Sequence, residues 1–400
     1  MTTTQGHEIE SPLARLSDEQ LEQLAQEFDA IHDEVYDDLG EEDAKYIRGV
    51  IEFHRRLVVL SRIVLMASRY KPAWVVGTAG LSVAKILENM EIGHNVMHGQ
   101  WDWMNDPDIN SQTWDWDTAS PASAWRHSHN YVHHTYTNIR GKDKDLGYEI
   151  MRIDPSQKWH PVYLAQPFYN VLLMLFFEWG VAMHDLDFDA IKSGEKPMRQ
   201  VRDELKEIGK KGLNQIVKDY VLFPALSGRE WRKTLAANFT ANIVRNVWSN
   251  AIIFCGHFPD QTYTFTQEET ENESRGGWYV RQLTGAANIE GGPLFHLMSG
   301  NLGYQVEHHL YPDMPSSRYG QIAPKVRAIC ERYGLPYNTG PFRKQWGTVQ
   351  RTILRLAFPG GRPRPKPGPW KEPEAPPEPH PARNGAVDRR TAEGALTPFP

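Results

Sequence analysis

Three histidine clusters, far apart along the chain, constrain its fold more than any other sequence feature. The first is Glu91-Ile-Gly-His94-Asn-Val-Met-His98. On a helix, His94 and His98 stand four apart and share a face, so both imidazoles can reach one metal ion. Glu91 lies on that face as well, placed to hold an imidazole in one tautomer. The second cluster runs Trp125-Arg-His127-Ser-His129-Asn-Tyr-Val-His133-His134-Thr-Tyr-Thr-Asn138. His129 and His133 repeat the four-residue spacing, and His134 points about 100° away from His133, so the doublet can serve two neighbouring ions. The third, Gln305-Val-Glu-His308-His309, ends in the same doublet, with Gln305 where a further ligand can stand. A single HxxxH pair is ordinary helix surface. Three clusters, two of them ending in a doublet, require a fold that gathers them.

Donor chemistry narrows the metal. Imidazole suits Zn, Fe, Cu and Ni, and the set contains no thiolate. Cys255 and Cys330 form no CxxC pair, are too few for a disulfide framework, and fit a reducing compartment. No HExxH motif supplies the general base of a zinc protease. Leaving His127 aside, the seven remaining histidines of the three clusters exceed the needs of one ion and suit two.

Composition bounds the rest. The chain has 400 residues and a net charge of −6, which gives no footprint for nucleic acid. Residues 1–48 are polar and acidic, with no secretory core segment, and Ser17 followed by Glu19 and Gln20 marks a helix start. Residues 192–219 mix Lys and Arg with Val201, Leu205, Ile208, Ile216 and Val217, the pattern of an amphipathic surface helix. From Pro359 onward, Pro, Gly and charge exclude a packed core and predict a disordered tail over 359–400. Mean hydropathy is −0.56. Four apolar stretches nevertheless stand out, at 57–68, 73–87, 161–180 and 235–258, each interrupted or flanked by charge at Arg62, Lys85, Glu178 or Arg245. Hydropathy leaves a multi-span membrane protein and a soluble helical one both open. Thirteen tryptophans, Trp101, Trp103, Trp114 and Trp116 among them, suit an aromatic belt at a membrane interface.

With the phrases GHNVMHG, HNYVHHTYTN and QVEHHLYP in this order, the chain resembles the membrane-bound fatty acid desaturases over residues 50–345. The run Glu88-Asn-Met-Glu-Ile-Gly-His94 through His98-Gly-Gln-Trp-Asp-Trp-Met-Asn105 is similar to the mycobacterial-type stearoyl-CoA Δ9 acyl-CoA group. The resemblance implies an all-α integral-membrane fold of four transmembrane helices with a cytosolic helical cap. It places residues 49–358 in the membrane desaturase domain behind the acidic arm 1–48. It implies a multi-pass protein of the cell membrane with its active site on the cytoplasmic side. Carried over residue by residue, the metal ligands are His94, His98, His129, His133, His134, His257, His308 and His309, with no catalytic residue beyond them. Two positions depart from the animal members: Gln305 replaces a histidine, and Ile253 replaces an asparagine four residues before His257.

The same resemblance implies a di-iron centre that uses O2 to insert a cis double bond into an acyl-CoA, at position 9 of a long saturated chain. Arg126, Arg140 and Lys142 are candidates to meet CoA phosphates. The chain carries no HPGG haem motif, no GxGxxG unit and too few cysteines for an iron–sulfur cluster. Electrons from NAD(P)H are therefore expected through a separate ferredoxin- or reductase-type protein, docking at the acidic arm or at the basic helix 196–211. A fatty acyl hydroxylase on the same scaffold and a non-catalytic membrane metal-binding protein are the rival readings. His127, His160, His184 and His296 are expected to make ordinary hydrogen bonds or face solvent, with His127 and His296 near enough to support the site.

Overall fold

The structure, a computed structural model, describes residues 11–259, 261–360 and 366–371. The chain divides into two units, residues 1–370 and 371–400, and of the second only Lys371 is described. Most of the expected Pro-rich tail thus lies outside the described residues. Helices dominate. Two three-residue strands, Asn288–Glu290 and Thr339–Pro341, pair in parallel with Ile289 opposite Gly340.

The acidic N-terminal stretch is built into the core. Its helix Asp18–Asp38 opens on a capping box, with Ser17 Oγ accepting from the Gln20 N–H at 3.2 Å and Gln20 Oε1 accepting from the Ser17 N–H at 2.9 Å. Leu24, Phe28, Ile31 and Val35 recur every three or four residues and form one apolar stripe. That stripe packs on Tyr279 and Leu283 of the helix Arg275–Gly285 and on Ile322 and Val326 of the helix Tyr319–Tyr333. Charge along this helix therefore faces outward while its apolar face closes the core beneath the third histidine cluster. The expected boundary at residue 48 falls inside the next helix, Glu41–Met66.

The four apolar stretches become helices, but not the four spans implied above. No helix among the described residues is long and apolar enough to cross a membrane. The expected integral-membrane fold and the expected multi-pass placement in the cell membrane are both corrected by this finding. Its causes are length and polarity. The helix Lys71–Leu87 has 17 residues, and the 161–180 stretch breaks into the helices Gln166–Leu175 and Phe177–His184; spanning takes about 20 residues. The two long helices, Glu41–Met66 and Trp231–His257, bury Arg62, Asn238, Asn242, Arg245, Asn246 and Asn250 instead. Tryptophans depart from the belt pattern too: Trp101 and Trp116 are buried.

Those buried charges are paired. Asp219, in a π-helical turn, takes Arg62 Nη2 and Lys85 Nζ, each at 2.8 Å, and Asn242 Nδ2 at 3.1 Å. Burial pushes the Asp219 carboxyl up, but Lys85, Lys218 and Arg62 outweigh it and hold the group below its ordinary value. Arg245 pairs with Glu178, which also accepts from Gln215 Nε2 at 2.6 Å. These pairs tie the helices Glu41–Met66, Lys71–Leu87 and Trp231–His257 to the π turn. Removing one partner from a buried pair strands the other, so Asp219→Asn should lower the unfolding free energy by about 3–5 kcal/mol. Chemical denaturation monitored by circular dichroism measures this.

Candidate metal centre

Two of the clusters arise in unusual helical turns. Glu88–His94 and Arg126–His133 are π-helical, each continuing an α-helix, rather than the plain α-helices the four-residue spacing suggests. Such wider turns recur at functional sites. The third cluster occupies the short helix Gln305–Leu310, and His257 ends the helix Trp231–His257.

The fold brings all eight predicted histidines together. His94, His98, His129 and His308 form one group, and His133, His257 and His309 a second; within each, one nitrogen per ring lies within 4.8 Å of the others. His134 stands between the groups, its ring centre 4.8 Å from His98, 4.9 Å from His308 and 4.6 Å from His309. The doublet His308-His309 thus divides between the two groups, whereas of His133-His134 only His133 belongs to one. His127 and His296 belong to neither: His127 stacks on Tyr131, and His296 Nε2 faces the Gly291 carbonyl at 3.0 Å.

In His129, His133, His257, His308 and His309 one ring nitrogen has a partner and the other is bare. The His133 Nδ1–H donates to Asp143 Oδ1 at 3.0 Å, and the His129 Nδ1–H donates to Asp145 Oδ2 at 3.2 Å. Gln282 spends its amide N–H on the His134 carbonyl, leaving its oxygen to accept from His309 Nδ1 at 3.0 Å. The Tyr319 hydroxyl donates to the Tyr311 carbonyl, so its oxygen accepts from His308 Nδ1 at 3.1 Å. Asn95 Nδ2 serves two carbonyls, and its oxygen accepts from His94 Nδ1 at 2.9 Å. Meanwhile Nε2 of His98, His129, His133, His308 and His309, both nitrogens of His134, and Nδ1 of His257 are buried without a hydrogen-bond partner. A buried polar atom left unmade costs about 1–3 kcal/mol. So many, converging, are a donor set shaped for cations, and an all-imidazole set fits iron.

Electrostatics agree. Burial, with neighbouring imidazoles, holds His94 down at about 3 and keeps His98, His134, His257, His308 and His309 well below the ordinary value. These rings are neutral and free to ligate. Burial also lowers His133, but the Asp143 and Asp145 carboxylates outweigh it and raise the ring to about 9, so His133 would have to lose a proton to ligate.

Sequence comparison identifies the scaffold. Residues 72–341 match the fatty acid desaturase family. The chain is 49% identical over 350 residues to the NADPH-dependent stearoyl-CoA 9-desaturase of Mycobacterium tuberculosis, covering 86% of this chain and 82% of that protein. It is 26% identical over 286 residues to the sn-1 linoleoyl-lipid 6-desaturase of Synechocystis, covering 70% and 79% of the two chains. The chain belongs to the fatty acid desaturase family.

Within this desaturase scaffold, several roles differ from those the sequence suggests. Glu91 does not hold His94. It is buried, pushed up to about 7 by burial, and accepts from Tyr46 at 2.8 Å, Ser316 at 3.0 Å and Asn301 at 3.0 Å, pinning the first cluster to the third. Gln305 lies with Nε2 3.1 Å from His257 Nε2. Only a glycine at 256 leaves room for it, since a Cβ there would sit 2.7 Å from Gln305 Cγ. Asp143, Asp145, Gln282, Tyr319 and Arg281 escaped the sequence reading, although the Asp-Lys-Asp run soon after the second doublet is a usable signal. His184 makes a hydrogen bond, as expected of it, but to a partner of the ligand rings: its Nε2 donates to Asp145 Oδ1 at 3.0 Å. Of the residues offered for CoA phosphates, Arg140 binds Ser156 and the Phe265 carbonyl accepts its backbone N–H.

Arg281 clamps the second cluster from behind. It takes both Glu273 oxygens at 2.7 Å and donates to the Thr135 and Thr137 carbonyls, each at 3.0 Å. Arg281→Met leaves these acceptors unmade and should cost about 3–5 kcal/mol of stability. Thermal or denaturant unfolding of the variant checks this.

Proposed function

We propose that this chain is an O2-dependent acyl-CoA desaturase that inserts a cis double bond at position 9 of a long saturated acyl chain, with two irons held by the clustered histidines. His94, His98, His129 and His308 hold one ion, His133, His257 and His309 the other, and His134 stands between them. The observation that carries this reading is the convergence of bare imidazole nitrogens from segments so far apart in sequence. Iron so held, with O2 and reducing equivalents, supplies the oxidant that removes hydrogen from an unactivated methylene, a task beyond side-chain acid–base catalysis at about 10²–10⁴-fold. The balance is CH2–CH2 to CH=CH and O2 to two waters, with two electrons and two protons entering from a reduced carrier.

The chain's own residues bind and orient. His94 and His129 of one group and His257 of the other line a single interior cavity with Trp116, Phe177 and Tyr148. An acyl chain seated there lies against both groups, shielded by aromatic walls. Asp143, Asp145, Gln282, Tyr319 and Asn95 hold the imidazole Nδ1 atoms, fixing the tautomer and aiming the opposite nitrogen inward. The relative from Mycobacterium tuberculosis is named for stearoyl-CoA and NADPH, and we assign this chain the same substrate class, with electrons delivered by a separate protein.

Two experiments test the reading. His308→Ala and His309→Ala should each abolish desaturation and lower bound iron by elemental analysis while the protein still folds. Retained turnover with normal iron would defeat the ligand assignment. Stearoyl-CoA incubated with the purified chain, O2 and NADPH should yield a monounsaturated product only when a reductase or ferredoxin-type carrier is added. Product analysis by mass spectrometry distinguishes alkene from alcohol, and full turnover with NADPH alone would overturn the separate-donor assignment.

A further inference from the structure

His184 and Asp185 belong to neither histidine group and end the helix Phe177–His184, just beyond the apolar stretch 161–180. Both side chains nevertheless reach the second cluster. His184 Nε2 donates to Asp145 Oδ1 at 3.0 Å, while the other oxygen of Asp145 accepts from His129 Nδ1 at 3.2 Å and lies 3.7 Å from His133 Nδ1. Asp185 accepts from Ser128 Oγ at 2.5 Å and from Ser120 Oγ at 2.7 Å. Ser128 is the residue before His129, inside the π-helical turn.

The turn that carries His129 is thus held at two points from one neighbouring helix end, once through the ring of His129 and once through the adjacent residue. The His184 side chain is only 6% exposed and packs against the Tyr148 ring at 5.2 Å, so its geometry is fixed by its surroundings. Asp145 needs that help. It faces His129, His133 and His184 together, and with one oxygen on His184 its remaining oxygen is aimed at the ligand rings. A carboxylate free to rotate would not select the His129 Nδ1–H, and the bare Nε2 would lose its aim.

Resting on the metal assignment made above, we propose that His184 is a positioning residue: it orients Asp145, which fixes the tautomer and direction of His129 and so sets metal affinity in the first histidine group. His184 touches no predicted ligand itself. Because His184 and Asp185 also line the interior cavity, the wall that would face substrate is the wall that holds the ligand turn.

The test uses the purified full-length chain titrated with Co2+, reading stoichiometry by elemental analysis and affinity by competition with a chelator. Wild type should bind two ions. His184→Ala should weaken one of the two by about tenfold or more, the lower end of what removing a partner behind a ligand histidine costs, and should leave the other unchanged. His184→Gln, whose amide can donate to Asp145, should recover most of that affinity. Equal Co2+ binding by wild type and His184→Ala overturns the proposal. So does a folded His184→Gln as weak as His184→Ala, which would place the loss in packing against Tyr148. Failure of wild type to bind two ions would instead bring down the metal assignment, and this inference with it.

Discussion

Everything around the centre depends on hydrogen bonds made at the backs of the imidazoles. A buried neutral histidine has one N–H and one lone pair, and which nitrogen carries which is set by its neighbours. Here carboxylates, an amide oxygen and a phenol oxygen accept from Nδ1, so the lone pair is left on Nε2 facing inward. The acceptors are themselves constrained. Gln282 is oriented by the His134 carbonyl, Tyr319 by the Tyr311 carbonyl, and Asp143 by the backbone N–H groups of Asn138 at 2.6 Å and Asp145 at 3.0 Å. The arrangement therefore belongs to a network rather than to the histidines alone.

That network explains why the scaffold around the site is so polar. Segments far apart in sequence must meet at fixed distances, and apolar packing is non-directional. Glu91 joins the first cluster to Asn301 and Ser316, and Glu307 holds Asn288 at 2.8 Å beside the third cluster. Arg281 gathers the carbonyls that follow the second doublet. Each bond is modest by itself, but a buried group that moves loses its partner and pays desolvation. Position is enforced by that penalty.

The sequence made the histidine clusters legible and the membrane architecture misleading for the same reason. Histidine spacing is local, so the i, i+4 pairs and the doublets survive the change from α- to π-helical turns. Apolar runs are local too, but their burial is decided by what they pack against. Arg62, Lys85 and Arg245 look like interruptions in the sequence; in the fold they find Asp219 and Glu178 far along the chain. The acidic helix Asp18–Asp38 shows the converse, since its charges hid an apolar stripe that closes the core. Gln282 could not be read as a partner, because nothing local announces which ring a side chain so far along the chain will meet.

The bare nitrogens carry a thermodynamic consequence. Several buried, unpartnered imidazole atoms in one place are unfavourable to the folded chain, each by about 1–3 kcal/mol. Such a deficit is sustained because the surrounding pins over-determine the site. A ligand that satisfies those atoms binds the folded state and not the unfolded one, so its binding energy adds directly to stability. Folding and metal loading are then coupled in one direction. The protein matrix holds the donors apart and aimed, and a cation bound there, as proposed, would remove the cost of keeping them so.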